Sequence, residues 1–224
     1  MFITLEGIEG SGKTTQLHHI VNFLQKNGHP CITTREPGGT EIGRQIRTIL
    51  LNPENNDLDP LAELLLYSAD RAQHIKSIIK PNLLAGKTVI CDRFFDATTV
   101  YQGFARGLDM KLIHTLHQIV LGSMKPDLTL LFDLPVEIGL GRAWESLGNG
   151  SRSTHESRFE KESLIFHEKI RAGYLTLARQ EPDRFQIINA ANDEKKVREE
   201  IIHILTHNLK KNLKHHDVNV SQDI

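Results

Sequence analysis

The chain has 224 residues, 39% of them apolar and 25% charged, with a formal net charge of −1. That length suits one α/β domain and leaves little room for a second. The near-neutral charge argues against a nucleic-acid binder, which carries a strong basic excess, and no apolar run approaches membrane-spanning length.

In chain order, short apolar runs alternate with longer amphipathic stretches. "FITL" (2–5) is followed by "GIEGSGKTT" (7–15) and by the helix-periodic "KTTQLHHIVNFLQKNG" (13–28). "PCITT" (30–34) runs into "REPGGT" and then "TEIGRQIRTILL" (40–51). A long helical stretch, 59–86, precedes "TVIC" (88–91), and "MKLIHTLHQIVLG" (110–122) precedes "LTLLFDL" (128–134). A segment after Pro135, the stretch 157–180, "FQIIN" (185–189) and the stretch 193–209 complete the alternation. Runs of four to seven residues without polar alternation are strands buried on both faces, as parallel strands are. The pattern predicts an α/β fold: a doubly wound, five-stranded, mostly parallel sheet flanked by helices, forming a single domain over 1–209.

"SLGNGSRSTHE" (146–156) is small and polar without periodicity and reads as a mobile loop. The polar tail 210–224 is expected to fray and receives no function. Cys31 and Cys91 have neither zinc-ligand nor disulfide-framework spacing, so two reduced, buried thiols are expected. With no leader-like segment at the N-terminus, a cytoplasmic location follows as the expectation.

Gly7, four residues, then Gly12-Lys13-Thr14 satisfies G-x-x-x-x-G-K-[ST], and the motif follows a predicted strand and opens a predicted helix. Glycines let backbone N–H groups turn inward around phosphate oxygens, and the helix adds its positive N-terminus. Gly7, Ile8, Glu9, Gly10, Ser11, Gly12, Lys13, Thr14 and Thr15 are therefore candidate ligands of a nucleoside triphosphate. Lys13 is expected to reach the β and γ phosphates and the Thr14 hydroxyl to help hold Mg²⁺.

Ligands of open parallel sheets gather outside the carboxyl ends of the strands. Arg35 ends the second strand, and Asp92 and Arg93 end the third. A hydrolase has little use for two such guanidiniums; an acceptor carrying a phosphate dianion does, because guanidinium and phosphate form paired, charge-assisted hydrogen bonds. The alternative is local ion pairing, Arg35 with Glu36 and Arg93 with Asp92. Tyr67 and Arg71, spaced i, i+4, share a helix face. They can stack on a nucleobase and donate to its carbonyl oxygen, or the tyrosine can simply belong to the core.

Taken together, "LEGIEGSGKTT", "TREPGGT", "LLLYSADRAQHI", "DRFFDATTVYQG", "KPDLTLLFDLP" and "SRFEKE" resemble the thymidylate kinase (dTMP kinase) family of P-loop nucleoside monophosphate kinases, from Phe2 to about Asn192. The resemblance implies ATP as donor, dTMP as acceptor, and a homodimer joined through helices such as 59–86 and 110–122. It implies that Glu9 binds the acceptor's 3′-hydroxyl and that Arg35 and Arg93 hold its phosphate, with Pro37 following a cis peptide. It places Tyr67 where a phenylalanine usually stacks on thymine, Arg71 at the base O4, Tyr101 against the 2′ side of the sugar and Gln102 near the base. Mg²⁺ would sit near Thr14 and Asp92, and Arg142 and the stretch 189–193 near the adenine.

The chain also departs from the family pattern. Ala97 replaces the usual serine and Val100 the usual alanine, leaving Thr98 as the nearby hydroxyl. The lid, over about 143–158, carries Ser157-Arg158 in place of Asp-Arg. Ser157-Arg158-Phe159-Glu160 has the S-x-x-E form of a capping box, which would keep Arg158 in a first helical turn. The phosphate loop holds no arginine, so a catalytic one is expected from the lid, with Arg152 and Arg158 the candidates. A GTP-dependent switch would need an N-K-x-D segment, and the chain has none. The intact Lys13, Thr14, Asp92 and Arg93 speak against an inactive subunit.

Overall fold

The computed structural model describes residues 1–150 and 153–220, with side chains described through residue 209. Strands β1 (Phe2–Glu6), β2 (Cys31–Arg35), β3 (Thr88–Asp92), β4 (Leu128–Asp133) and β5 (Phe185–Asn189) form one sheet in the order β2-β3-β1-β4-β5. All four pairings are parallel, so the "mostly parallel" expectation sharpens to wholly parallel among the described residues. β1 is central and every residue of it is buried, which is why it reads as an unbroken apolar run. Its one hydroxyl, Thr4 Oγ1, lies 2.8 Å from Thr129 Oγ1 on β4 and so enters the core already partnered.

The helices begin where the sequence supplies caps. α1 (Lys13–Lys26) grows directly out of the glycine loop. Thr40 accepts from the Gly43 N–H to open α2 (Glu41–Leu51), and Asp59 accepts from Leu61 and Ala62 to open α3 (Pro60–His74), with Pro60 at the first position. The expected long helix is not uniform: α3 passes through a π turn at Ile75–Ile79 into α4 (Lys80–Leu84). A second π turn, Thr99–Ala105, follows the short α5 (Phe95–Thr98). Asp109 caps α6 (Met110–Leu121), α7 (Val136–Gly148) follows Pro135, and α8 (Leu164–Gln180) and α9 (Glu194–Val220) complete the layers. α9 continues through most of the stretch whose composition reads as a polar tail.

The capping-box expectation is corrected. α8 begins six residues later than the pattern suggests, at Leu164, and its cap is Ser163, which accepts from Phe166 N–H. Ser157 instead donates its hydroxyl to the Thr154 carbonyl at 2.7 Å and closes a 3-10 turn over Thr154–Glu156. Tertiary contacts of Arg158 outweigh the local cap signal, as described below.

The chain leaves β1 toward the β2 side and leaves β3 toward the β4 side, so the strand order reverses beside β1. That reversal opens a crevice at the carboxyl edge. Fully buried Leu5, Ile20, Leu24, Leu130, Ile170 and Ile188 belong to the core beneath it. Each such side chain is worth roughly 1.5–3 kcal/mol relative to exposure. Cys91 is buried and Cys31 half-buried, both as free thiols. No described helix is long and apolar enough to cross a membrane.

Candidate active site

The loop after β1 turns through Gly7 (φ 140°), Gly10 (φ 67°) and Gly12 (φ 86°) before α1 begins. These conformations strain any residue with a Cβ, and at Gly10 a Cβ would also collide with the Gly139 carbonyl. Lys13 folds back so that Nζ donates to Gly7 O (3.0 Å), Ile8 O (2.8 Å) and Ser11 Oγ (2.9 Å). Burial pulls its pKa down to about 7, with Arg93 adding repulsion against the partly offsetting Asp92, Glu9 and Glu6.

Arg35 and Asp92 are register partners across β2 and β3, which sets the two strand ends side by side. One large cavity is lined by Glu9 to Gln16, Arg35, Asp92, Arg93 and Arg142, together with Ala190, Asn192 and Asp193. The two expected guanidiniums and the Lys13 ammonium therefore share a single hollow. Arg142 donates to the Ala190 carbonyl at 3.0 Å, bringing α7 and the stretch after β5 to the same wall. Gly7 and Ile8 stand behind that wall and act through the carbonyls that bind Lys13.

Neither local ion pair forms. Glu36 is taken by Arg71 and His74, and no ion pair of Arg35 is found among the described residues. Arg93 ignores Asp92: NH2 donates to Glu9 Oε1 at 3.0 Å and NH1 to the Gly7 carbonyl at 2.9 Å. Its backbone sits at φ 65°, an unusual conformation for a residue with a side chain, and its guanidinium lies 5.1 Å over the Tyr101 ring.

A second cavity opens beside the first. Pro37, Tyr67, Arg71, Thr98, Tyr101 and Gln102 line it, and Glu9 and Arg93 line both. Pro37 follows a cis peptide, as expected. Tyr101 donates to Glu9 Oε1 at 2.6 Å, and Gln102 donates to Glu63 Oε1 at 2.7 Å. Arg71 is buried, with Nε on Glu36 Oε2 at 2.7 Å and NH2 on the Phe94 carbonyl at 3.1 Å, while NH1 has no partner. Thr98 Oγ1 is likewise buried without a partner, and the Ala97 methyl stands beside it on the wall.

Burial alone would raise the Glu9 carboxyl, but Arg93, followed by the bonds from His167 and Tyr101, holds it well below the usual carboxylate range. Glu6, directly below, behaves oppositely. Burial and then Asp96 push it up to about 8, although Tyr174 and the Phe94 N–H each donate to it at 2.7 Å.

The oxygen chemistry fits a hard cation. Asp92 Oδ1 is buried without a hydrogen-bond partner and shares the large cavity with the exposed Thr14. Among the described residues no group of three or more His, Cys, Asp or Glu could hold a metal unaided. That suits Mg²⁺, which keeps several waters and takes substrate phosphate oxygens with one or two protein ligands.

Arg158 is not brought to either cavity. Its side chain is buried, with Nε on the Leu50 carbonyl at 2.6 Å and NH2 paired to Glu63, and lines neither cavity. Arg152 lies outside the described residues.

Sequence reasoning missed Arg47 on α2, which lines both cavities, clamps Glu156 with Nε (2.9 Å) and NH2 (2.8 Å), and donates from NH1 to the Pro37 carbonyl. Nothing in its amphipathic helix marks it out. His167 was also missed. Its Nε2 lies 3.0 Å from the Phe159 carbonyl and its Nδ1 3.3 Å from Glu9 Oε2. There a signal exists, because His167 falls on the apolar stripe with Ile170 and Tyr174 and is fully buried.

A phosphate loop at the carboxyl edge of a central parallel strand, adjoined by an aromatic, arginine-bearing second cavity, defines the fold class of P-loop nucleoside monophosphate kinases. The family model described as thymidylate kinase matches residues 5–201. A thymidylate kinase of Desulfosudis oleivorans is 58% identical over 85% of this chain and 89% of its own length. That of Desulforapulum autotrophicum is 55% identical over 90% of this chain and 89% of its own. The crystal structure of thymidylate kinase from Ehrlichia chaffeensis superposes with a TM-score of 0.71 at 35% identity, covering 92% of this chain and 98% of that one. The chain belongs to the thymidylate kinase family.

Proposed function

We propose that the protein transfers the γ-phosphoryl group of ATP to dTMP, giving ADP and dTDP, a step toward dTTP. The observation that carries this reading is that the phosphate-loop cavity and the aromatic cavity adjoin and share Glu9 and Arg93. A donor in one and an acceptor in the other meet at those two residues.

An ionised oxygen of the acceptor phosphate attacks the γ phosphorus, and the bond to the β–γ bridging oxygen breaks to release ADP. That nucleophile is anionic at neutral pH, so no strong general base is needed. Catalysis consists of positioning and of offsetting charge through a loose transition state. Lys13 exchanges its bonds to Gly7, Ile8 and Ser11 for phosphate oxygens. Arg93 and Arg35 grip the acceptor phosphate, Tyr67 stacks on the base, and Arg71 offers its unpartnered NH1 to the carbonyl O4. Tyr101, held by Glu9, crowds the 2′ position, while Thr98 and Gln102 meet the acceptor beyond it. When bound near Thr14 and Asp92, Mg²⁺ supplies neutralising charge to the β and γ phosphates. Arg142 and the wall around Asn192 take the adenine side.

The catalytic lid arginine expected in this class is Arg152 or Arg158. The bonds of Arg158 to Leu50 and Glu63 favour Arg152 for that role. One kinase domain over 1–209, a homodimer and a cytoplasmic location belong to the same reading. Leu61 and Leu65 on α3 and Leu112 and Ile119 on α6 are exposed apolar side chains of the kind a dimer buries.

ADP release measured across all nucleoside monophosphates, with Lys13→Ala as the blank, tests the reading. Preference for dTMP is expected; preference for UMP, CMP or AMP overturns it.

A further inference from the structure

We propose that His74, which touches neither cavity, is a positioning residue for acceptor recognition: it fixes Glu36, and through Glu36 it fixes the edge of Arg71 that is presented to the acceptor base. The inference rests on the reading that Arg71 contacts that base.

Four side chains from three parts of the chain stand in series. Thr34 Oγ1 on β2 lies 2.6 Å from His74 Nε2, and His74 Nδ1 lies 2.8 Å from Glu36 Oε1. The other carboxylate oxygen, Glu36 Oε2, accepts from Arg71 Nε at 2.7 Å. His74, Glu36 and Arg71 are buried, with side-chain exposures of 0%, 2% and 1%, and Thr34 is half-buried.

Donor accounting fixes the Nδ1 end of the ring. The ionised carboxylate only accepts, so the ring must carry its proton on Nδ1. In the neutral ring Nε2 is then an acceptor, and the Thr34 hydroxyl donates to it. In that tautomer the side-chain polar atoms of Thr34, His74 and Glu36 are all satisfied, and NH1 of Arg71 alone is left over. Reversing the tautomer sets a ring lone pair against a carboxylate oxygen.

The relay also restricts Arg71. A carboxylate held at one oxygen by a single Nε–H contact keeps freedom to rotate, and the bond from His74 to the second oxygen removes it. Arg71 NH2 is already committed to the Phe94 carbonyl, and the guanidinium lies 5.5 Å over the Phe94 ring. NH1 is thus the nitrogen left for a ligand, on a residue that lines the acceptor cavity. The His74 ring packs against the backbone of Gly39, where a Cβ would come within 2.5 Å of Nε2. Across the same loop, Asp70 Oδ1 accepts from Gly38 N–H at 3.2 Å, so the backbone around Glu36 is pinned from both sides.

The test is steady-state kinetics of the full chain with dTMP and with 5-methyl-dCMP, which puts an amino donor where dTMP has O4. Asn can place its amide N–H where Nδ1–H stands, whereas Gln places it where Nε2 stands, too far to serve Glu36. His74→Gln is expected to raise KM for dTMP by about tenfold or more. Its kcat and KM for ATP should stay within about twofold of the parent, and its preference for dTMP over 5-methyl-dCMP should shrink. His74→Asn should restore values near those of the parent.

Thr34→Val removes only the hydroxyl that braces the far side of the ring, so it carries the test should His74→Gln fail to fold. A selective rise in KM for dTMP of about threefold supports the relay, and an unchanged KM overturns it. An unchanged dTMP KM and preference in His74→Gln also overturns it, provided Arg71→Ala does raise that KM. An equal loss in kcat and both KM values marks a merely structural histidine and likewise defeats the inference. Should Arg71→Ala itself leave the dTMP KM untouched, the base-contact reading fails, and the cause of failure is then plain.

Discussion

Arg93 and Glu9 form a 3.0 Å ion pair that ties the end of β3 to the phosphate loop. The same Glu9 oxygen accepts from Tyr101 at 2.6 Å, so one carboxylate joins Arg93, which lines both cavities, to Tyr101 on the wall of the second.

Arg93→Ala should lower kcat on the order of 10²–10³, the scale seen when one preorganised donor to developing charge is lost. It should also cost about 3–5 kcal/mol of stability, because Glu9 is left buried and short of its main counter-charge. Adding Glu9→Gln is expected to recover part of the stability and none of the turnover. Chemical denaturation of the two variants, read beside their kinetics, checks both halves.

Thr98 Oγ1 is buried and finds no hydrogen-bond partner among the described residues. Thr98→Val keeps its shape and removes an unsatisfied polar atom, so the melting temperature should hold or rise. KM for dTMP should nevertheless climb by about threefold to tenfold if that hydroxyl meets the acceptor in place of the serine absent at Ala97. A falling melting temperature with constant KM would assign the hydroxyl to the core instead.

Glu6 gives a pH dependence with a defined sign. Its folded-state pKa of about 8 exceeds the ordinary 4.5, because of burial and then Asp96. The native state therefore binds more protons than the unfolded one between those limits. The contribution of Glu6 is fully present below pH 4.5 and is lost as pH rises toward 8. Glu6→Gln should flatten that decline, with a difference on the order of a few kcal/mol between the ends of the window. Urea titrations at intervals across this range measure it, and parallel curves for the two proteins would refute it.

Arg158 anchors the segment after the 3-10 turn to Glu63 and the Leu50 carbonyl. Arg158→Ala should destabilise by about 1–3 kcal/mol, because Glu63 Oε2 loses its partner while Oε1 stays with Gln102 and Arg106. Removing Arg152 should reduce kcat more than removing Arg158 does. The opposite pattern would return the catalytic role to Arg158.

The sheet was legible because parallel strands covered on both faces are nearly unbroken apolar runs, as "FITL" and "TVIC" are. The phosphate loop was legible because glycine geometry and a lysine at fixed spacing leave few alternatives. What the sequence concealed were contacts between residues distant along the chain. Ser157 and Glu160 satisfy a capping pattern, yet Arg158, held to residues 50 and 63, keeps the backbone there out of helix. Arg47 and Glu156 carry no motif and become neighbours only when α2 and the 3-10 turn are folded against each other. Glu36 stands next to Arg35 in sequence, which invites a pair, but its carboxylate turns inward to Arg71 and His74.

The π turn at Thr99–Ala105 sets consecutive side chains, Tyr101 and Gln102, to work at one pocket wall, the first reaching Glu9 and the second Glu63. An ordinary helix advances about 100° per residue, and the wider coil of a π turn sets such a pair somewhat closer together around its axis. This wider coil makes the pocket sensitive to chain length as well as to residue identity. Excising a single residue from this stretch would re-tighten the spiral and rotate one of those two contacts out of reach, even with every remaining amino acid unchanged.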